Sequence, residues 1–286
     1  MHSIAFLVGA AAACFAPLAA ADGAAGHAWG YTTTNASIAS PTHWAEYYPT
    51  CAGTRQSPID ISTTGQSATS SLPLTFDGKC QRFSLSVNEE AYKGSVTGGS
   101  FSLVDTWRVA DAVSYLGSCA AHTGGATFNL LQFHMHTPSE HTLNGVALDG
   151  EVHFVHNRTD GGALLVVGAF LKAVEGATTP AFVTNVLNGM EKTTEAKPAK
   201  LKLDGYANLL KTAAKGGQVY NYPGSLTTPG CSETVDWWVV QKPVEIAPTD
   251  LTRLQQHFKH FTIYDNGKNA RPVQALNQRT VAAYAA

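Results

Sequence analysis

The chain has 286 residues, 44% hydrophobic and 14% charged, with 19 Lys and Arg against 21 Asp and Glu and a formal net charge of -2. That length supplies one large core or two small ones. The sparse, balanced charge leaves no basic stripe, which argues against nucleic acid as a partner, because phosphate binding needs a concentrated cationic face. Residues 1–21 read as a secretory signal peptide: an apolar run from Ile4 to Phe15, a break at Pro17, then small residues Ala19 to Ala21 for cleavage. The n-region carries no Lys or Arg, so a retained anchor is the alternative, although the run is short for a span of about 20 residues. No later stretch is long enough to cross a bilayer, so no stable membrane insertion is expected after cleavage.

Strand-like runs then dominate. "FSLSV" (83–87), "FSLV" (101–104), "FNLLQFHMH" (128–136), "EVHFVH" (151–156), "ALLVVGAFLK" (163–172) and "DWWVVQ" (236–241) are rich in β-branched and aromatic residues. Turn-forming clusters such as "NGVALDG" (144–150) and "TDGG" (159–162) separate them. Two segments have a helical period. One is 179–190; the other is 247–261, with Thr249 as its predicted N-cap and Leu251, Leu254, Phe258 and Phe261 on one stripe. No Pro/Ser-rich linker divides the chain. The expectation is a single domain over residues 22–286. Its class is mainly β (α+β): a large, mostly antiparallel, twisted central sheet with short peripheral helices.

Cysteine usage agrees with export. Cys14 lies in the signal, leaving Cys51, Cys80, Cys119 and Cys231, an even number that suggests two disulfides in an oxidising compartment. Four cysteines permit three pairings, and the pattern does not choose among them. The expected location is secreted or extracytoplasmic: periplasm, cell surface or a compartment of the secretory route. Sequons at Asn35 and Asn157 make a glycoprotein where the host glycosylates.

The segment "QFHMHTPSEH" (132–141) concentrates histidines. Side chains on a strand alternate faces, so Gln132, His134 and His136 share one face and Leu131, Phe133 and Met135 the other. On the next predicted strand Glu151, His153 and Val155 share a face, while Val152, Phe154 and His156 point away. Residues 137–150 can close these strands into an antiparallel hairpin, on which His134, His136 and His153 converge. Three neutral imidazoles suit zinc and leave its fourth tetrahedral position open, the mark of a catalytic site. Gln132 and Glu151 can accept the second ring N–H of the ligands. His141 and His156 read as structural histidines, and His27, His43, His122, His257 and His260 as surface or capping residues. A cupin-type reading of His134, His136 and Glu140 fails, because the glycines stand at the wrong offsets and the downstream block is missing.

"LQFHMHTPSEHTLNG…DGEVHFVH" resembles the core of the α-class carbonic anhydrases, most closely the secreted, compact branch familiar from plants, algae and bacteria. "WGY" (29–31), "RQSPIDI" (55–61), "YPGSLTTPGCSETVDWWV" (222–239) and "NARPVQALNQR" (269–279) fall in family order, so the resemblance covers nearly the whole mature chain. It implies zinc held by His134, His136 and His153, with Gln132, Glu151 and the backbone carbonyl of Asn269 orienting the three rings. It implies catalytic roles for Thr227 and Glu140, Glu140 taking the threonine proton so that Thr227 can only accept from hydroxide at the metal. It implies a substrate site formed by Thr228, Val155, Val166, Leu226, Val235 and Trp237. It implies a Cys51–Cys231 disulfide, which leaves Cys80 and Cys119 as the second pair. The activity implied is reversible hydration of carbon dioxide to bicarbonate and a proton, a lyase reaction on a small-molecule substrate. The histidine that relays the proton in fast members is absent from "NEEAYKGSV" (88–96), where Ala91 or Tyr92 takes its place, with Glu89, Glu90 and Lys93 nearby. His27 is the first candidate for another relay. The alternative is a catalytically silent relative that binds or stores a ligand. Oligomeric state is not legible.

Overall fold

The alternating runs pair into one twelve-stranded sheet. The computed structural model describes residues 27–64, 67–68, 70–78, 80–88, 91–96, 119–203 and 205–286. The signal peptide and the 101–104 strand expected from sequence lie outside these residues. In chain order the sheet comprises β1 (Ser70–Ser71), β2 (Thr75–Gly78), β3 (Arg82–Val87), β4 (Tyr92–Val96), β5 (Cys119–Thr123), β6 (Ala126–His136), β7 (Gly150–Arg158), β8 (Leu164–Ala173), β9 (Ala199–Lys202), β10 (Gln218–Gly224), β11 (Val235–Ile246) and β12 (Ala282–Ala285). The spatial order is β9-β3-β4-β6-β7-β8-β11-β10-β12-β1, with β5 bridging β2 and β6. Pairing is mostly antiparallel, with parallel joints at β8–β11 and β12–β1. Among the described residues the three longest helices, α1 (Ala181–Met190), α2 (Tyr206–Ala214) and α3 (Pro248–Phe258), lie outside the sheet, and two four-residue helices, Trp44–Tyr47 and Pro49–Ala52, precede it.

Both faces are buried along the central strands β8 and β11, which explains why "ALLVVGAFLK" and "DWWVV" are continuous apolar runs and not alternating ones. Along β8 the core residues split by parity: Leu165, Val167, Ala169 and Leu171 join the larger cluster, Val166 and Phe170 the smaller. β11 divides likewise, with Trp238 and Val240 on the larger side and Val235, Trp237 and Val239 on the smaller. The larger cluster takes the apolar stripes of α1, α2 and α3, including Phe182, Leu210 and Phe258. The smaller cluster lies on the face that carries the histidines.

The β6–β7 hairpin forms as its sequence implies, with His136 opposite Glu151 and His134 opposite His153. The turn within it uses Asn144 and Gly145, both at positive φ, to reverse Thr142–Leu143 onto Val146–Ala147. Two sequence expectations need correction. The register slips between Val155 and His156, so that Val155 pairs with Gln132 but His156 with Leu130. This β-bulge sends Leu131 to the histidine face, where it packs on the smaller cluster, while Leu130 joins Phe133 and Met135. Thr249 is not an N-cap: the cap is Ala247, and Pro248 occupies the first turn, where its fixed φ and missing N–H suit a helix start. The Ala247 N–H is satisfied by Thr179 Oγ1 at 2.8 Å.

Candidate metal centre

The three histidines converge because β6 and β7 set them on one face at adjacent register positions. His136 and His153 are buried, 2% and 1% exposed; His134 is the ring nearest solvent. Their ring centroids lie 4.5 to 5.2 Å apart. One nitrogen from each lies within 4.8 Å of the others.

Each outer nitrogen has a partner that fixes its tautomer. His136 Nδ1 donates to the Asn269 carbonyl at 2.8 Å, and His134 Nδ1 to Gln132 Oε1 at 2.9 Å. His153 Nε2 lies 3.0 Å from Glu151 Oε1, and the carboxylate beside it favours the tautomer that carries the proton on that nitrogen. The bare nitrogens are therefore His134 Nε2, His136 Nε2 and His153 Nδ1, and they face one another. Burial lowers the proton affinity of all three rings, taking His136 down to about 4, so each is neutral at pH 7.

The supports are themselves held. Asn269 is clamped between the strands: its Nδ2 donates to the Met135 carbonyl and its Oδ1 accepts from the Thr137 N–H. Glu151 accepts the backbone N–H groups of Glu140 and His141 and the Nδ1–H of His141 at 2.8 Å. Burial pushes the Glu151 carboxyl up, but His141 and His153 beside it outweigh burial and hold it well below the usual carboxylate range. His141 continues inward to Tyr222 at 2.6 Å, and Tyr222 to Ser57 at 2.9 Å. His141, Glu151 and His153 also form a group of metal-ligand type, but hydrogen bonds already occupy it. His156 is buried among Leu165 O and Tyr206 Oη, a structural residue.

Glu140 Oε2 points into the same space, 3.5 Å from His136 Nε2 and 3.8 Å from His153 Nδ1. That oxygen and His136 Nε2 are both buried without a hydrogen-bond partner. Unsatisfied buried polar atoms are expensive, and a cluster of them facing neutral imidazoles fits a cation. The other Glu140 oxygen accepts the Arg271 backbone N–H at 2.9 Å. Burial pushes Glu140 up to about 7, against the pull of His153, Arg271 and the Thr227 side chain.

Thr227 is buried on a loop that several contacts fix. Ser225 N–H donates to Ser57 Oγ, the Leu226 N–H to the Ser232 carbonyl, and the Thr228 carbonyl accepts from the Cys231 N–H. Beside the histidines Val155, Val166, Val235 and Trp237 are buried in the smaller cluster, with half-buried Leu226 packed on it. The two disulfides are Cys51–Cys231 and Cys80–Cys119. Tyr92 does not face the histidines; it packs edge-on against Phe261 on the opposite side of the sheet. His27 stacks on Tyr47. Sequence reading passed over Arg271, whose backbone N–H is the signal-free part of its role.

A family profile described as eukaryotic-type carbonic anhydrase matches residues 39–285. The chain belongs to the eukaryotic-type carbonic anhydrase family. A carbonic anhydrase of Nostoc sp. is 30% identical over 258 residues, covering 88% of this chain and 84% of the relative. One from Pectobacterium carotovorum is 29% identical over 257 residues, covering 88% and 89%. Among solved structures, the α-carbonic anhydrase of Thermovibrio ammonificans in complex with the inhibitor sulfanilamide superposes with a TM-score of 0.69 at 29% identity. It covers 90% of this chain and 99% of its own. As a carbonic anhydrase the chain is a carbonate dehydratase, acting on carbon dioxide and bicarbonate. Among the described residues no helix is long and apolar enough to cross a membrane.

Proposed function

We propose that the chain hydrates carbon dioxide at a zinc ion held by His134, His136 and His153, with Thr227 and Glu140 orienting the nucleophile. The observation that carries this reading is the convergence of three neutral imidazoles on partnerless, buried acceptor atoms. Zinc would supply the Lewis acidity that makes water nucleophilic near neutral pH, as is established for carbonic anhydrases. The chain supplies orientation. Gln132, Glu151 and the Asn269 carbonyl hold the three rings. With its single proton directed to Glu140, Thr227 has only an acceptor to offer, which aims the nucleophile at the substrate. Val155, Val166, Leu226, Val235 and Trp237 give apolar carbon dioxide an apolar seat, and Thr228 lies on the substrate side of the loop. A silent binding protein would need none of this conjunction of ligands, ring supports and oriented threonine.

We also infer export: residues 1–21 as a cleaved signal, 22–286 as one catalytic domain, and an oxidising compartment, which the two disulfides support. Asn35 and Asn157 are glycan acceptors where the host modifies them. The deciding experiment is stopped-flow hydration of carbon dioxide by the mature chain, with metal content measured on the same sample. Turnover far above the buffer blank at one zinc per chain, lost in His134→Ala, is the expected result. Zinc at one per chain without turnover would favour the silent protein.

A further inference from the structure

The β4 strand pairs antiparallel with β6, Gly94 opposite Phe133 and Ser95 opposite Gln132. The same register carried one residue further sets Lys93 opposite His134. Strand alternation places Lys93 and Ser95 on the face of Gln132 and His134, and sends Tyr92 to the other face. The packing of Tyr92 against Phe261 agrees. Lys93 is half-buried. It makes no ion pair with an acidic side chain among the described residues.

We propose that Lys93 is the anion-selecting residue of this site, holding bicarbonate and competing monovalent anions beside the metal position. The proposal rests on the functional reading above. The reaction interconverts a neutral molecule and an anion. A fixed ammonium at the pocket therefore acts on one side of the equilibrium, attracting bicarbonate and leaving carbon dioxide indifferent. Because the overall equilibrium is fixed, the effect falls on bicarbonate KM and on product release, not on the ratio of the two kcat/KM values. The side chain does no chemistry and donates no proton.

The test uses the metal-loaded enzyme with thiocyanate as the probe anion. Thiocyanate affinity is read at constant ionic strength from the visible spectrum of the cobalt-substituted protein, alongside KM for bicarbonate and for carbon dioxide. In Lys93→Gln, thiocyanate affinity falls and bicarbonate KM rises by about five-fold, the scale of one charge acting over about a nanometre through partly solvated protein. The shift shrinks with added salt, and the KM for carbon dioxide does not follow it. Lys93→Arg, which keeps the charge, stays within about two-fold of the parent. Unchanged thiocyanate affinity in Lys93→Gln, or an equal change in both KM values, overturns the proposal while leaving the zinc reading intact. A parent chain that takes up no metal overturns both.

Discussion

At the residue scale the site depends on the space around Glu151 as much as on its charge. Gly168 stands opposite His153 on β8, and a Cβ placed there would come within 2.6 Å of Glu151 Oε1. The carboxylate that steadies His153 and His141 therefore fits only because that position lacks a side chain. Gly168→Ala is expected to displace Glu151 and weaken zinc affinity about 10- to 100-fold, the usual cost of losing a group that orients a ligand. Competition with a chelator of known affinity measures it, and parent-like affinity would show that Glu151 is not needed where it stands. His156 bears on stability in the other direction. Burial lowers its pKa from 6.5 to about 4, so the unfolded chain binds the extra proton in that window. Its contribution is fully present above pH 6.5 and is lost as pH falls toward 4, in total about 3 kcal/mol. Urea unfolding at a series of pH values should show a shallower acid loss in His156→Gln. Parallel curves for parent and variant would rule His156 out as the source.

At the element scale, strand period two accounts for most of what was legible beforehand. It placed His134, His136 and His153 together, with Gln132 and Glu151 behind them, because each residue's face follows from counting along one strand. Counting fails where the ladder slips. The bulge at Leu131 depends on cross-strand register with β7, which no local pattern in "FNLLQF" announces, and so Leu131 faces the site against expectation. Thr249 failed for a simpler reason: a proline at the next position toward the N-terminus starts the helix first. The same alternation turns Tyr92, which occupies the place of the missing histidine, away from the site and toward Phe261. With no histidine in residues 88–96, proton export is expected to depend on buffer. Hydration turnover should climb several-fold as buffer concentration rises and be rescued by imidazole in weak buffer. Turnover flat across buffer concentration would point to an internal relay elsewhere.

At the scale of the whole molecule, the site is assembled from segments far apart in the chain, and this is what single-strand reasoning could not see. The three histidines stand on β6 and β7, but Thr227 sits on a loop between β10 and β11, and Glu140 is held by the backbone of Arg271. Arg271 is a hub: its guanidinium donates to Gln56 Oε1, the Ser57 carbonyl and the Cys51 carbonyl, and lies over Trp44. The Cys51–Cys231 disulfide, spanning 180 residues, ties that same N-terminal segment to the end of the Thr227 loop. Thr50 Oγ1 donates to the Gly230 carbonyl at 2.6 Å and Gln56 Nε2 to the Cys231 carbonyl, which reinforces the tie. Cys80–Cys119 instead joins the chain before β3 to the start of β5. The two bridges should therefore separate stability from catalysis. Removing either one, as Cys51→Ala with Cys231→Ala or Cys80→Ala with Cys119→Ala, should cost about 2–5 kcal/mol of stability and lower Tm. Only the first should also cut kcat/KM, by roughly ten-fold or more, since a small misplacement of an orienting group is costly. Zinc affinity should hold in both, because the three histidines are placed by strand pairing and not by either bridge. Equal losses of activity in the two variants would mean that the Thr227 loop is held by its hydrogen bonds alone.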